Sequence, residues 1–572
     1  MNRSQVAIRR QSAKLDLFTK LAIFVIVLIL SVLILIPIGN VLYKSFQPGG
    51  IDVLRAVIEN DYTRQIIMNT VWLGTSVGAI GTLVGFLLAY VQVRVNFKGK
   101  KLLHVLSLLP LVSPPFAFAT AVIVLFGRSG IISNGIFDKQ PMIYGYKGLV
   151  LVLATSYFPV AYMNLLGMLR SLDPAVDEAA RSLGASKFKI FRTVTLPLLI
   201  PGIGASFLLL FVEAIADLAN PLVIGGDYTV LASRAYIAIS GEYNIPGGAA
   251  YSTILLIPAL LVFIIQRYWS QKADVVTVTG KPSGQVDMIK TPHAKYSLLF
   301  LAWTIAAFVV LVYSMVIMGS FFKVLKVDYS LTLDNYRYIF SGVGNDAVFT
   351  TTMLALIATP IAGFFGMMLA WVIVRKIKRG GQALDFFGML GLALPGTVLG
   401  IGYAFTFNSP IQILGITILP QLAGGGAILG GAVAIVMVYV IRSSPAGQRS
   451  GIANLQQIDP AIDEASASLG ASGGRTFRKI SLPLIRGAFL TGLMFAFARS
   501  MTTLSPIIFI TTPDTPILTS LILAEADTVR YGYAFAFCTL LIAIVLVVMG
   551  LINLIVRKTQ GTGYRPITVS AG

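Results

Sequence analysis

The chain has 572 residues, 56% of them hydrophobic and only 12% charged, with a mean hydropathy of +0.82. Soluble domains carry about twice that charged fraction, so a water-soluble enzyme is excluded and a polytopic membrane protein is implied. The single Cys538 excludes an internal disulfide or cysteine metal cluster, and two histidines, His104 and His293, are too few for a histidine-rich metal site.

Residues 1–20 are polar and basic, with Arg3, Arg9, Arg10, Lys14 and Lys20. The apolar run 21–43 is long enough to cross about 30 Å of hydrocarbon. No small-residue cleavage site follows it, so it reads as an uncleaved first helix. Further spans are predicted at 66–93, 102–126, 148–169, 198–224 and 249–269, completing a first half at 21–269. A polar linker occupies 270–296, centred on Gly280-Lys-Pro-Ser-Gly. The second half, 297–556, gives spans at 297–319, 348–374, 384–407, 427–447, 484–511 and 532–556, and a tail runs over 557–572. Backbone in lipid must satisfy its own hydrogen bonds, so the spans are helices. Pro110, Pro114, Pro115, Pro360 and Pro395 mark kinks, broken turns or span ends. The fold class is an all-α polytopic membrane protein of twelve helices, arranged as two parallel six-helix repeats.

Most Lys and Arg fall on one side when both termini are placed in the cytoplasm. The net charge of +20 is then a topology signal and does not call for nucleic acid. The external loops at 44–65, 127–147, 225–248 and 320–347 are too short for a folded solute-binding domain. Tyr336, Tyr338 and Phe340 read as a short interfacial helix forming an anchoring belt.

One polar stretch occurs twice. Asp173-Pro-Ala-Val-Asp-Glu-Ala-Ala-Arg-Ser-Leu-Gly-Ala-Ser recurs as Asp459-Pro-Ala-Ile-Asp-Glu-Ala-Ser-Ala-Ser-Leu-Gly-Ala-Ser, an offset of 286 residues (459 − 173). Each copy reads as a short helix. Asp173 and Asp459 are N-caps, Pro174 and Pro460 take the first helical position, and Asp177, Glu178, Asp463 and Glu464 sit near the positive end of the dipole. Gly184 and Gly470 are stop signals, and basic residues then lead to Leu196-Pro197 and Leu482-Pro483, which open the next apolar segments. Both loops fall on the cytoplasmic side. The chain echoes itself elsewhere: Leu88-Ala-Tyr-Val-Gln-Val-Arg94 matches Leu369-Ala-Trp-Val-Ile-Val-Arg375.

No phosphate loop is present, since Gly280-Lys281 lacks the upstream glycine and the following Ser or Thr. Nor is there a zinc spacing or a nucleophile elbow, so no catalytic residue is assigned. Charges inside the spans are costly and normally face protein or water. Glu213 and Asp217 lie in the fifth span and Arg499 in the eleventh. Glu213 and Arg499 match across the repeat, and a pseudo-twofold axis would bring them together as an ion pair. The alternative is that each pairs within its own half. Glu213, Asp217 and Asn220 share a helical face by i, i+4, i+7 spacing, and Thr502, Thr503 and Ser505 precede Pro506 on the partner helix. This polar face is expected either to line a solute path or to act as interhelical glue.

Glu178-Ala179-Ala180, then Gly184, then Val194-Thr-Leu196-Pro197, resembles the EAA loop of permease subunits of binding-protein-dependent ABC importers. The second copy fits through Glu464-Ala465, Gly470 and Ile480-Ser-Leu482-Pro483, and departs from the pattern at Ser466. The twelve-span fusion, Asp217-Leu-Ala-Asn-Pro-Leu-Val-Ile-Gly-Gly and Arg499-Ser-Met-Thr-Thr-Leu-Ser-Pro resemble the ferric-iron group of fused permeases. Permeases for 2-aminoethylphosphonate look very similar. The resemblance implies a type I importer permease in a bacterial inner membrane, with no bound cofactor of its own. It implies two ATPase subunits carrying ATP and Mg under the loop helices, and a periplasmic solute-binding protein on the external loops. Asp177, Glu178, Ala179, Ala180, Gly184, Asp463, Glu464, Ala465 and Gly470 would then couple to the ATPases. The rival reading is a secondary transporter driven by an ion gradient, with Glu213 and Asp217 carrying protons. It leaves the duplicated loop unexplained.

Overall fold

The computed structural model describes residues 16–137, 143–273, 288–289, 291–377, 380–413 and 415–559. Residues 1–15, most of the linker read at 270–296 and the tail from 560 lie outside the described residues. Among these, nine helices are long and apolar enough to cross a membrane, the first Leu17–Ser45 and the last Tyr531–Val556. Three bent pairs, counted as one span each, complete the expected twelve: Lys100–Leu111 with Phe116–Phe126, Gly381–Ala393 with Gly396–Phe407, and Gly473–Leu484 with Phe489–Thr502.

Proline chemistry sets several of the breaks. The Gly381–Ala393 and Gly396–Phe407 pair turns by 98°. Pro395 has no N–H to donate and drives the preceding Leu394 to an extended ψ of 134°. Pro360, by contrast, is carried inside Val343–Trp371 without a break. The Leu-Pro pairs do not open new helices. In the first half one helix runs from Lys187 to Ala216, and a widened turn at Phe191–Thr195 absorbs the clash that Pro197 would make with the preceding turn. The second half repeats that turn at Phe477–Ser481.

The halves interleave. The leading helix Leu17–Ser45 packs on the second half, where Ile26 and Leu33 share a core with Trp371 and Val398. Asn40 Nδ2 donates to Thr406 Oγ1 there at 2.8 Å. The leading helix of the second half, Pro292–Gly319, packs in turn on the first, with Val309 and Val316 in one core with Phe118 and Leu149. In the 320–347 loop only part of the expected aromatic belt survives. Tyr338 stacks on Tyr533 at 4.2 Å and donates to Glu525 at 3.0 Å, and the Tyr336 hydroxyl meets Ser320 Oγ at 2.8 Å. Phe340 is the most exposed of the three, at 61% against 37% for Tyr338.

One close helix crossing is built the same way twice. A Cβ on Gly85 would lie 2.7 Å from Tyr162 N, and one on Gly366 would lie 2.5 Å from Ser444 O. Both neighbours are backbone and have no room to yield. Gly85→Leu and Gly366→Leu are each expected to lower the melting temperature of the detergent-purified chain by several degrees, from overpacking of about 1–3 kcal/mol or more. Gly167→Leu, which meets open space, is expected to leave it unchanged.

Candidate functional site

The duplicated stretch forms two helices that are capped as the residues dictate. In Pro174–Ser182 the Asp173 carboxylate accepts from Ala175 N at 3.0 Å, and ahead of Ala461–Ser468 Asp459 accepts from Ala461 N at 2.9 Å. Gly184 at φ 79° and Gly470 at φ 78° reverse the chain in the left-handed region that glycine tolerates. Glu178, Ala179, Glu464 and Ala465 face outward, and Ala180 is half-buried. At the helix ends Leu183 and Leu469 are 89% and 88% exposed, a matched pair of uncovered apolar tips.

Asp177 and Asp463 do not share that free face. Asp177 Oδ2 lies 2.6 Å from Arg94 Nη1, and Asp463 Oδ2 lies 3.1 Å from Arg375 Nε, with all four side chains at least four-fifths buried. Arg94 ends the helix Asp61–Arg94, and Arg375 lies in the last turn of Val343–Lys376, where the dipole favours a cation. Arg375 also donates to Leu455 O at 3.0 Å and Ile458 O at 2.7 Å. Arg94 and Arg375 close the echoed runs 88–94 and 369–375, and that repetition is the sequence signal for the pairs. Ser466 is buried, and its hydroxyl lies 2.8 Å from Thr476 Oγ1. The first half has Ala180 and Ile190 at these places, so the departure from Ala is a paired change from apolar to polar.

The same two long helices hold a second helix at their opposite ends. Thr70 Oγ1 accepts from Leu231 N at 2.8 Å, at the start of Leu231–Ser240. Thr351 Oγ1 accepts from Leu518 N at 2.8 Å, at the start of Leu518–Asp527. At 1.5 Å per residue these contacts sit about 36 Å from the arginines. Each long helix is thus a strut between a loop helix and a helix on the other face.

Midway along the molecule, Arg499 Nη2 lies 3.1 Å from Glu213 Oε1, so the pair forms across the halves. Asp217 and Asn220 do not continue Glu213's helical face. The helix ends at Ala216, because Pro221 cannot donate to the Asp217 carbonyl. The chain restarts as Ala219–Ile224, and the extended Asp217 caps it, accepting from Asn220 N at 2.8 Å, Asn220 Nδ2 at 3.0 Å and Tyr157 Oη at 2.5 Å. Asn220 is fully buried and serves to hold Asp217. Thr502 Oγ1 donates to Ala498 O at 2.9 Å and Thr503 Oγ1 to Arg499 O at 2.6 Å, so these hydroxyls close onto their own helix.

Two cavities meet at the ion pair. One, of about 80 Å³, is lined by Asp217, Thr503, Ser505 and Pro506. The other, of about 340 Å³, extends toward the loop helices past Met163 and Arg449. Tyr157, Glu213, Arg442, Arg499 and Thr502 border both. Arg442 and Arg449 are absent from the sequence-based candidates. Arg442 falls inside the predicted span 427–447, and a charge at that depth was the signal for it.

The family model for the binding-protein-dependent transport system inner membrane component matches twice, over residues 81–275 and 362–561. A ferric transport system permease protein of Actinobacillus pleuropneumoniae is 32% identical over 560 residues, covering 95% of this chain and 79% of the relative. A putative ferric transport system permease protein of Haemophilus influenzae is 33% identical over 516 residues, covering 87% of this chain and 79% of the relative. The molybdenum transport system permease protein ModB of Escherichia coli is 30% identical over 190 residues, covering 32% of this chain and 83% of the relative.

Deleting one partner of a buried pair strands the other charge, at a cost of about 3–5 kcal/mol. Arg94→Gln and Asp177→Asn should each lower the thermal stability of the purified chain. The double variant should lose less than the sum, with a coupling of about 1–3 kcal/mol. Strictly additive losses would show that the loop helix is not held by this pair.

Proposed function

Because the chain belongs to the binding-protein-dependent transport system inner membrane component family, in a fused two-copy form, we propose that it is the whole membrane pathway of an ATP-driven importer for ferric iron. It is an ABC importer permease of the inner membrane, and two relatives matched over 95% and 87% of this chain are named for ferric transport. The observation that carries the mechanism is the pair of outward-facing loop helices, each tied to the end of a membrane-crossing strut.

In this reading each loop helix docks in an ATPase subunit, and the exposed Leu183 and Leu469 supply apolar contacts there. The ATPases, not this chain, carry ATP and Mg. A periplasmic solute-binding protein delivers the solute at the opposite face, where Leu231–Ser240 and Leu518–Asp527 lie. Both termini and both loops are cytoplasmic. ATP binding draws the loop helices together, and hydrolysis releases them. The two cavities on either side of Glu213–Arg499 support alternating access, with the pair as the partition between them. A proton-driven transporter is disfavoured, because Glu213 is engaged by Arg499 and Asp217 is spent capping a helix.

The test is uptake of radioactive ferric iron by proteoliposomes containing the chain, its ATPases and its binding protein. Uptake should require ATP. Glu178→Lys combined with Glu464→Lys should abolish it, together with ATPase copurification, while membrane insertion is unchanged. Uptake of an aminophosphonate but not of ferric iron would remove the iron assignment, and uptake surviving the double change would remove the docking role.

A further inference from the structure

The larger cavity has a charge that a bare metal cation would not choose. Three guanidinium groups line it, Arg442, Arg449 and Arg499, against one carboxylate, Glu213. Glu213 is already paired with Arg499 at 3.1 Å. Arg442 makes one hydrogen bond, from Nη1 to Leu394 O at 2.8 Å, and its buried Nε has no partner. Among the described residues Arg449 has no ion pair or hydrogen bond. The acid nearest in charge to it, Asp385, is held by Arg267 at 2.7 Å and by Gln448 at 2.7 Å.

Both free cations sit on one helix, Ala432–Gln456, seven residues apart. At 1.5 Å per residue that places them about 10 Å apart along one face, aimed into one cavity. Their repeat counterparts on the opposite wall are Ser156 and Met163, 286 residues earlier in each case (442 − 156, 449 − 163). The cationic wall is therefore a property of the second half alone and does not follow from the duplicated architecture. Capping Leu394 O at the broken span explains one of the five N–H donors of Arg442. It explains none of Arg449. Arg442 is buried without a counter-charge, which is costly at this depth, whereas Arg449 is exposed; the planar fork of each matches an oxyanion. Among the described residues no group of three or more His, Cys, Asp or Glu side chains could hold a metal ion.

We propose that Arg442 and Arg449, with Arg499 at the head of the cavity, form an oxyanion site, so that the solute crosses this half of the path as an anion. Resting on the permease reading, this gives the substrate class as either a free phosphate- or carboxylate-type oxyanion, or ferric iron still carrying such an oxyanion as its ligand. The single Glu213 then balances Arg499, leaving two cations for the passing charge.

The test is equilibrium binding to the full-length chain in detergent at constant ionic strength, with three probes: inorganic phosphate, citrate, and ferric citrate. Saturable binding of at least one probe is expected. Arg449→Gln should weaken it about tenfold and Arg442→Gln with Arg449→Gln should abolish it, while Arg337→Gln, in an exposed pair with Asp334, should leave it unchanged. Binding of phosphate or citrate alone assigns the free anion, and binding of ferric citrate only assigns the liganded iron. Should the double variant fail to fold, Arg449→Gln decides, since that side chain holds no structural bond. No saturable binding, or binding indifferent to Arg449→Gln, overturns the proposal. Absence of ATP-dependent uptake in proteoliposomes alongside intact, arginine-dependent binding would instead sink the permease reading and leave the anion site standing.

Discussion

Two ion pairs, Arg94 with Asp177 and Arg375 with Asp463, fix what the rest of the molecule can do. A loop helix of nine or eight residues is too short to hold its own shape in water. It becomes a mechanical part only because a buried carboxylate on its inner face is gripped by the end of a helix that crosses the whole protein. Water is largely excluded from both pairs, so screening is weak and the loss of either partner is expensive. The far ends of the same helices are pinned by Thr70 and Thr351 to the surface helices they cap. Force applied at one face is therefore delivered about 36 Å away without passing through a flexible loop.

The duplication supplies the scaffold, and departures from it supply the chemistry. The caps, the left-handed glycines, the widened turns before Leu-Pro and the ion pairs all occur twice. The charges at the centre do not. Glu213 and Asp217 come from the first half and Arg499, Arg442 and Arg449 from the second. Symmetric halves with like charges at Glu213 and Arg499 would repel across the pseudo-twofold axis, whereas opposite charges close it. The crossing of each leading helix to the other half, with Asn40 reaching Thr406 and Asp16 accepting from Gly473 N at 3.0 Å, keeps the halves engaged while leaving the central cavities between them.

Much of this was legible in the chain because it is written in local rules. Span count follows from hydropathy, the loop helices from Asp-Pro starts and Gly stops, and the central pair from matching positions of opposite charge. What failed did so for physical reasons. Glu213, Asp217 and Asn220 have helical spacing, but Pro221 ends the helix at Ala216, and spacing alone does not register a missing N–H four residues on. Asp177 and Asp463 lie next to the outward-facing Glu178 and Glu464, yet turn inward, because adjacent helical positions differ by about 100°. Which half the first helix packs against is not encoded in its periodicity, since it is apolar all round.

The central claim is that each loop helix and the surface helix above it move as one body. It is tested most directly by pulsed-EPR distances in the complete transporter, using spin labels at the exposed positions Leu183, Ile237 and Leu469; the native Cys538 is buried. Between nucleotide-free and ATP-trapped states, the distance from 183 to 237, within one half, should stay constant. The distance from 183 to 469, between halves, should change by several ångströms. A constant 183 to 469 distance with a shifting 183 to 237 distance would contradict the strut.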